Sequence, residues 1–168
     1  MRFLILLVFI SLALPSVANE VAMPNKTLEI EWLDLIPKEE RDRISESRMK
    51  ALNHNLEAAQ QVKVGAVRAE MAGKHIRIPG FVIPLEGDAD SISEFLLVPF
   101  YGACIHVPPP PPNQIIHVKF EEGAPTKDLW DIVYITGTLQ TETLVTEELD
   151  VESGYTMIGA SIENYNKA

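Results

Sequence analysis

The chain has 168 residues, 14 of them Lys or Arg and 24 Asp or Glu, for a net charge of −10 at neutral pH. That length supports one domain with one core. An acidic surface repels phosphate backbones, which excludes DNA and RNA as expected ligands, and a single cysteine excludes a Cys-x-x-Cys exchange motif.

Residues 1–18 read as a cleavable signal peptide. Arg2 supplies the positive start, residues 4–14 are apolar apart from Ser11, and Pro15 precedes the small-residue pattern Ser16-Val17-Ala18. The apolar run is shorter than the roughly 20 residues a bilayer-spanning helix needs. No cysteine follows it, so the lipoprotein route to an anchor is closed. The expectation is a periplasmic protein that is not integral to the membrane. Loss of Arg2 leaves 13 basic against 24 acidic residues, a mature net charge of −11.

Residues 19–72 are expected to form an N-terminal leader and a helical segment. A short amphipathic piece over 28–36 carries Trp32, Leu33 and Ile36 and stops at Pro37. Pro37-Lys38-Glu39-Glu40 then reads as a helix start, with proline in the first turn and acids at the positive end of the dipole. Ile44, Met49, Leu52, Leu56 and Ala59 fall on one face at helical spacing, which predicts a helix over about 38–60.

From Gly73 the period changes to two. Ile76 and Ile78 alternate with His75 and Arg77, and Pro79-Gly80 interrupts, so the strand is expected to kink there and serve two neighbours. Further strands are expected over 94–98, 115–120, 132–139 and 155–162, with a turn at 87–90 and one helical turn at 126–129. The predicted fold is mainly β with an N-terminal helix (α+β). Residues 73–168 should form a small, closed or partly open, OB-like Greek-key barrel of about five strands, with a small antiparallel sandwich as the alternative.

The segment with chemical potential is Gly102-Ala103-Cys104-Ile105-His106-Val107, followed by five prolines and Asn113-Gln114. A lone thiol in an oxidising compartment is buried and inert, links two chains, or is functional. Cys104 and His106 are two apart, so on an extended chain both side chains point to one side, and Pro108 favours extension at Val107. Thiolate with imidazole suits zinc or copper(I), and such a site needs further ligands. His75 and His117 each alternate with a basic residue, Arg77 and Lys119, and are expected to face solvent. Either completes a site if its strand abuts the loop, and His117 is the candidate taken with Cys104 and His106. His54 reads as a surface residue on the helix. A thiol activated by His106 for nucleophilic chemistry is the enzymatic alternative. The prolines form a polyproline II rod, read as a rigid wall beside Cys104 and His106 with Asn113 and Gln114 re-entering the sheet.

The string from Phe95 through Tyr101-Gly102-Ala103-Cys104-Ile105-His106-Val107, with its five prolines and Asn113-Gln114, resembles the signature of a bacterial exported family known as domain of unknown function 3299. Gly73-Lys74-His75-Ile76-Arg77-Ile78-Pro79-Gly80-Phe81, Ile135-Thr136-Gly137-Thr138-Leu139 and Glu31-Trp32-Leu33-Asp34-Leu35-Ile36-Pro37 are similar to other parts of its pattern. The resemblance carries no assigned reaction. It implies an envelope protein that accompanies an ABC-type transporter, in export or metal handling. Many relatives resemble lipoproteins, and this chain departs from them in lacking the lipid-bearing cysteine.

Three readings follow. The first is a non-enzymatic periplasmic protein that binds zinc or copper through Cys104, His106 and His117 and serves a transporter. The second is an envelope protein that makes contacts through the Trp32 segment and the helix, its proline loop being structural. The third is a thiol-dependent enzyme. The sequence shows no phosphate-cradling glycine loop, no zinc-protease helix and no Ser-His-Asp order.

Overall fold

The computed structural model describes residues 26–41, 61, 63, 65–104, 108–125 and 132–165. Among them are eight strands: β1 (Leu28–Glu29), β2 (His75–Gly87), β3 (Ser91–Val98), β4 (Ile116–Pro125), β5 (Val133–Gln140), β6 (Leu144–Thr146), β7 (Val151–Ser153) and β8 (Tyr155–Asn164). The expected helix begins where Pro37 predicts, with residues 38–41 helical. Its remainder lies outside the described residues, as do the signal peptide and the helical turn at 126–129.

Strand β2 shows how the barrel closes. Residues 75–80 pair antiparallel with β5, and residues 81–87 pair antiparallel with β3. The switch falls at the Pro79-Gly80 interruption, so the kinked strand does serve two neighbours. Gly80 is needed there by close approach: a Cβ would stand 2.8 Å from Leu97 Cγ and 3.0 Å from the Val98 carbonyl. The circuit runs β2–β3–β4–β8–β5 and back to β2, with β4 and β8 parallel. This is the expected five-stranded OB-like barrel, and it is closed, which removes exposed edges around its circuit.

Alternation along the strands divides two apolar clusters. Ile76, Ile78, Phe95, Leu97, Ile116, Val118 and Ile135 fill the interior, where Phe95 stacks on Phe120 at 5.9 Å. The other side of β3 is not left to solvent. Leu96 and Val98 join Ile83, Ala103, Ile115 and Val151 in a second cluster on the outward face, which explains why four consecutive residues, 95–98, are all fully buried. Full burial of a leucine such as Leu96 contributes about 1.5–3 kcal/mol. The cover comes from the connection between β5 and β8, which folds back as the antiparallel hairpin β6–β7.

The N-terminal segment is strapped to this barrel rather than held apart from it. Ile30, Leu35 and Met71 are buried in the interior cluster. Trp32 Nε1 donates to the Pro79 carbonyl at 2.6 Å. The buried Tyr155 hydroxyl accepts from the Arg68 N–H at 2.7 Å and donates to the Leu35 carbonyl at 2.8 Å. The end of the proline run completes the attachment. Gln114 Nε2 donates to the Trp32 carbonyl at 2.8 Å, Asn113 Nδ2 to the Ala66 carbonyl at 3.0 Å, and Gln61 Nε2 to the Pro110 carbonyl at 2.9 Å. Among the described residues no helix is long and apolar enough to cross a membrane.

Candidate functional site

The outward face of β3 and β4 holds a polar constellation beside the second cluster and the hairpin. Register sets its members. Leu96 stands opposite His117 and Glu94 opposite Lys119, and directly opposed residues of an antiparallel pair project from the same face. Glu94 takes that face by alternation with Leu96 and Val98, and the bulge between Ile92 and Glu94 turns Ile92 to the interior instead. The two Glu94 oxygens are divided: Lys119 Nζ lies 2.9 Å from Oε1, and His117 Nε2 lies 3.2 Å from Oε2.

His117 is only 6% exposed, against the expectation that it faces solvent. The alternation with Lys119 did turn it outward, but the outward face is covered at this level. Burial lowers its pKa below the usual 6.5, opposed by the nearby Glu94 charge and assisted by Lys119. The neutral ring has one N–H, and the contact to Glu94 assigns it to Nε2. Nδ1 is then an acceptor, buried and without a hydrogen-bond partner among the described residues.

A cleft of about 900 Å³ lies over this constellation. One wall is the second half of β2, from Ile83 to Glu86; the floor includes Glu94, His117 and Lys119; the other wall is the hairpin side, with residues 144–147 and Leu149. Glu94, Lys119 and the hairpin were not singled out from sequence. The usable signal was the outward register of residues 117 and 119, but what covers that face depends on a hairpin whose strands have three residues each.

Cys104 lies in the loop after β3, in the left-handed region at φ 66°. Its thiol is free and half-buried, and it packs against the outward cluster that includes Leu96 and Ile115. Burial pushes the thiol up to about 11. Cys104 packs against the cluster that contains Leu96, the residue standing opposite His117, but Cys104 does not line the cleft and His117 does. His106 and His54 lie outside the described residues. His75 sits elsewhere on the barrel, its Nδ1 3.4 Å from Thr138 Oγ1 of the opposing strand β5. Among the described residues no group of three or more His, Cys, Asp or Glu side chains is placed to hold a metal ion.

The chain is similar to a crystallised DUF3299 family protein from Pseudomonas aeruginosa PAO1, with 33% identity, a TM-score of 0.65, and coverage of 83% of this chain and 96% of that one. No curated protein matches it. The profile of the family described as protein of unknown function, DUF3299, matches residues 32–164, and the chain belongs to that family.

Proposed function

We propose that the protein is an exported, non-enzymatic accessory protein of the bacterial envelope that binds a transition metal, zinc or copper(I), with His117 as the anchoring ligand and Cys104 and His106 as its partners. The observation that carries this reading is the state of His117. A metal-ligating histidine characteristically donates its other ring N–H to a carboxylate, which fixes the tautomer and the ring orientation. His117 has that arrangement with Glu94, and its remaining nitrogen is a buried acceptor without a partner. Glu94 is itself fixed by Lys119, which suits an orienting role better than direct ligation. Thiolate and imidazole together are soft enough for either metal.

The thiol-enzyme reading is disfavoured by Cys104, because burial pushes its thiol away from the nucleophilic form. The contact reading through the Trp32 segment loses its main anchor, because Trp32 is hydrogen-bonded to its own barrel and Leu35 is buried. Export rests on the leader sequence, and service to an ABC-type transporter on the family resemblance.

The test is metal content. The mature chain and its Cys104→Ser, His106→Ala and His117→Gln variants are purified, checked for cooperative melting, and analysed for zinc and copper by mass spectrometry. Near-stoichiometric metal in the parent and loss in the variants is expected; equal trace metal in all four overturns the reading. Co-purification of transporter subunits with the tagged parent from envelope extracts tests the accessory role.

A further inference from the structure

Five-stranded OB barrels carry ligands on the face of their second and third strands, flanked by the loops joining strands one to two and four to five. In this barrel those strands are β3 and β4, and the loop from the fourth to the fifth carries the β6–β7 hairpin. The cleft of about 900 Å³ lies between that hairpin and that wall, within the roughly 300–1,000 Å³ typical of small-ligand sites.

Its lining combines two chemistries. Ile83, Leu85, Leu144 and Leu149 are apolar, while Glu86, Glu94 and Glu147 bring three carboxylates against one ammonium, that of Lys119. Lys119 is paired with Glu94. Glu86 on the β2 wall and Glu147 on the hairpin wall have no ion pair among the described residues. The molecule's net charge of −10 adds to the local bias against anions. His117 at the floor is more than nine-tenths buried, and its Nδ1, shut off from solvent, has no partner among the described residues. We propose that the cleft binds a small amphipathic organic cation, an ammonium or guanidinium on an apolar body, with the charge held between Glu86 and Glu147 and the body against the aliphatic walls.

This goes beyond the metal reading and does not require it, since Cys104 and His106 take no part. The cation N–H groups donate to the carboxylates, and the apolar body leaves water along Leu85, Leu144 and Leu149. Because both carboxylates sit at the exposed rim, binding should weaken with added salt.

The experiment is calorimetric titration of the metal-stripped mature chain with 3-phenylpropylamine and, as a matched control, 3-phenylpropionate. The two probes share a body and differ in charge. One-to-one binding of the amine is expected, with no binding of the acid, and amide shifts in nitrogen–proton correlation spectra centred on Leu85 and Val145. The Glu86→Gln, Glu147→Gln double variant alters only exposed side chains, so an unchanged melt shows that it folds; its affinity for the amine should fall about tenfold. Acid binding as tightly as amine, neither probe binding at millimolar concentration, or shifts centred elsewhere overturns the proposal. A Cys104→Ser, His106→Ala variant that loses metal but still binds the amine separates this site from the metal site.

Discussion

Burial moves the Cys104 thiol from an ordinary value of 9.0 to about 11, and the consequence is measurable as a reaction rate. Only the thiolate reacts with an alkylating agent. At pH 8 a shift of that size lowers the thiolate fraction about 100-fold relative to the unfolded chain. Metal-free mature protein, treated with iodoacetamide at pH 8 in buffer and in denaturing urea, should differ in rate by at least that factor, because packing against the outward cluster also restricts access. The pH profiles should differ as well. The unfolded chain should level off above pH 9, while the native rate should keep rising tenfold per unit towards about 11. The folded value lies above the unfolded one. Cys104 therefore contributes stability that is complete below the unfolded value and is lost as pH rises towards the folded one. A native rate within a few-fold of the denatured rate would refute the burial argument and restore the nucleophilic-thiol reading.

Tyr155→Phe removes the hydroxyl that joins the Arg68 N–H to the Leu35 carbonyl and should destabilise the fold by about 2–4 kcal/mol, because two partly or fully buried groups lose their partner. Thermal melting should show this as a drop of roughly 5–15 °C; an unchanged melt contradicts the strapped N-terminal segment. The pKa of His117 is lowered on folding from 6.5, so protonation favours the unfolded chain. Stability should be complete above the unfolded value and decline as pH falls below it towards the folded one. Denaturant midpoints across that window should slope less in His117→Gln, and an identical slope would show that His117 is not the group responsible. For the metal site, Glu94→Gln should weaken affinity about 10- to 100-fold while leaving one-to-one binding, the behaviour of a group that orients a ligand. Titration with a competing chelator distinguishes this from complete loss, which would make Glu94 itself a ligand.

The barrel was legible because its strands carry a two-residue period that a closed sheet enforces. Ile76 and Ile78, then Ile116, Val118 and Phe120, mark the interior, and Pro79-Gly80 marks the point where β2 changes partner. Strand β3 was legible for a different reason: residues 95–98 are apolar without alternation because both sides of that strand are covered. The hairpin providing part of that cover was not legible, since three-residue strands are too short to establish a period. His117 was misread through the same gap. Alternation says which side of a strand a residue takes, but not whether that side meets water. From sequence the proline motif reads as a rigid wall for the thiol loop. Its visible work is at the other end, where Pro110, Asn113 and Gln114 hold the N-terminal segment. Those partners are 47 to 82 residues away in sequence, beyond any local pattern.

The wall that OB barrels use for oligonucleotides joins a basic groove to aromatic side chains on which bases stack. Here, among the described residues, the same wall has carboxylates outnumbering its one lysine, and no Phe, Tyr or Trp lines the cleft. What remains on that wall is a carboxylate shared between a lysine and a buried neutral imidazole, with two further carboxylates at the rim. Of these, the two rim carboxylates favour a positive guest in the proposed readings, while Lys119 already offsets Glu94. A metal ion would meet the free nitrogen of His117, and an organic cation the rim carboxylates.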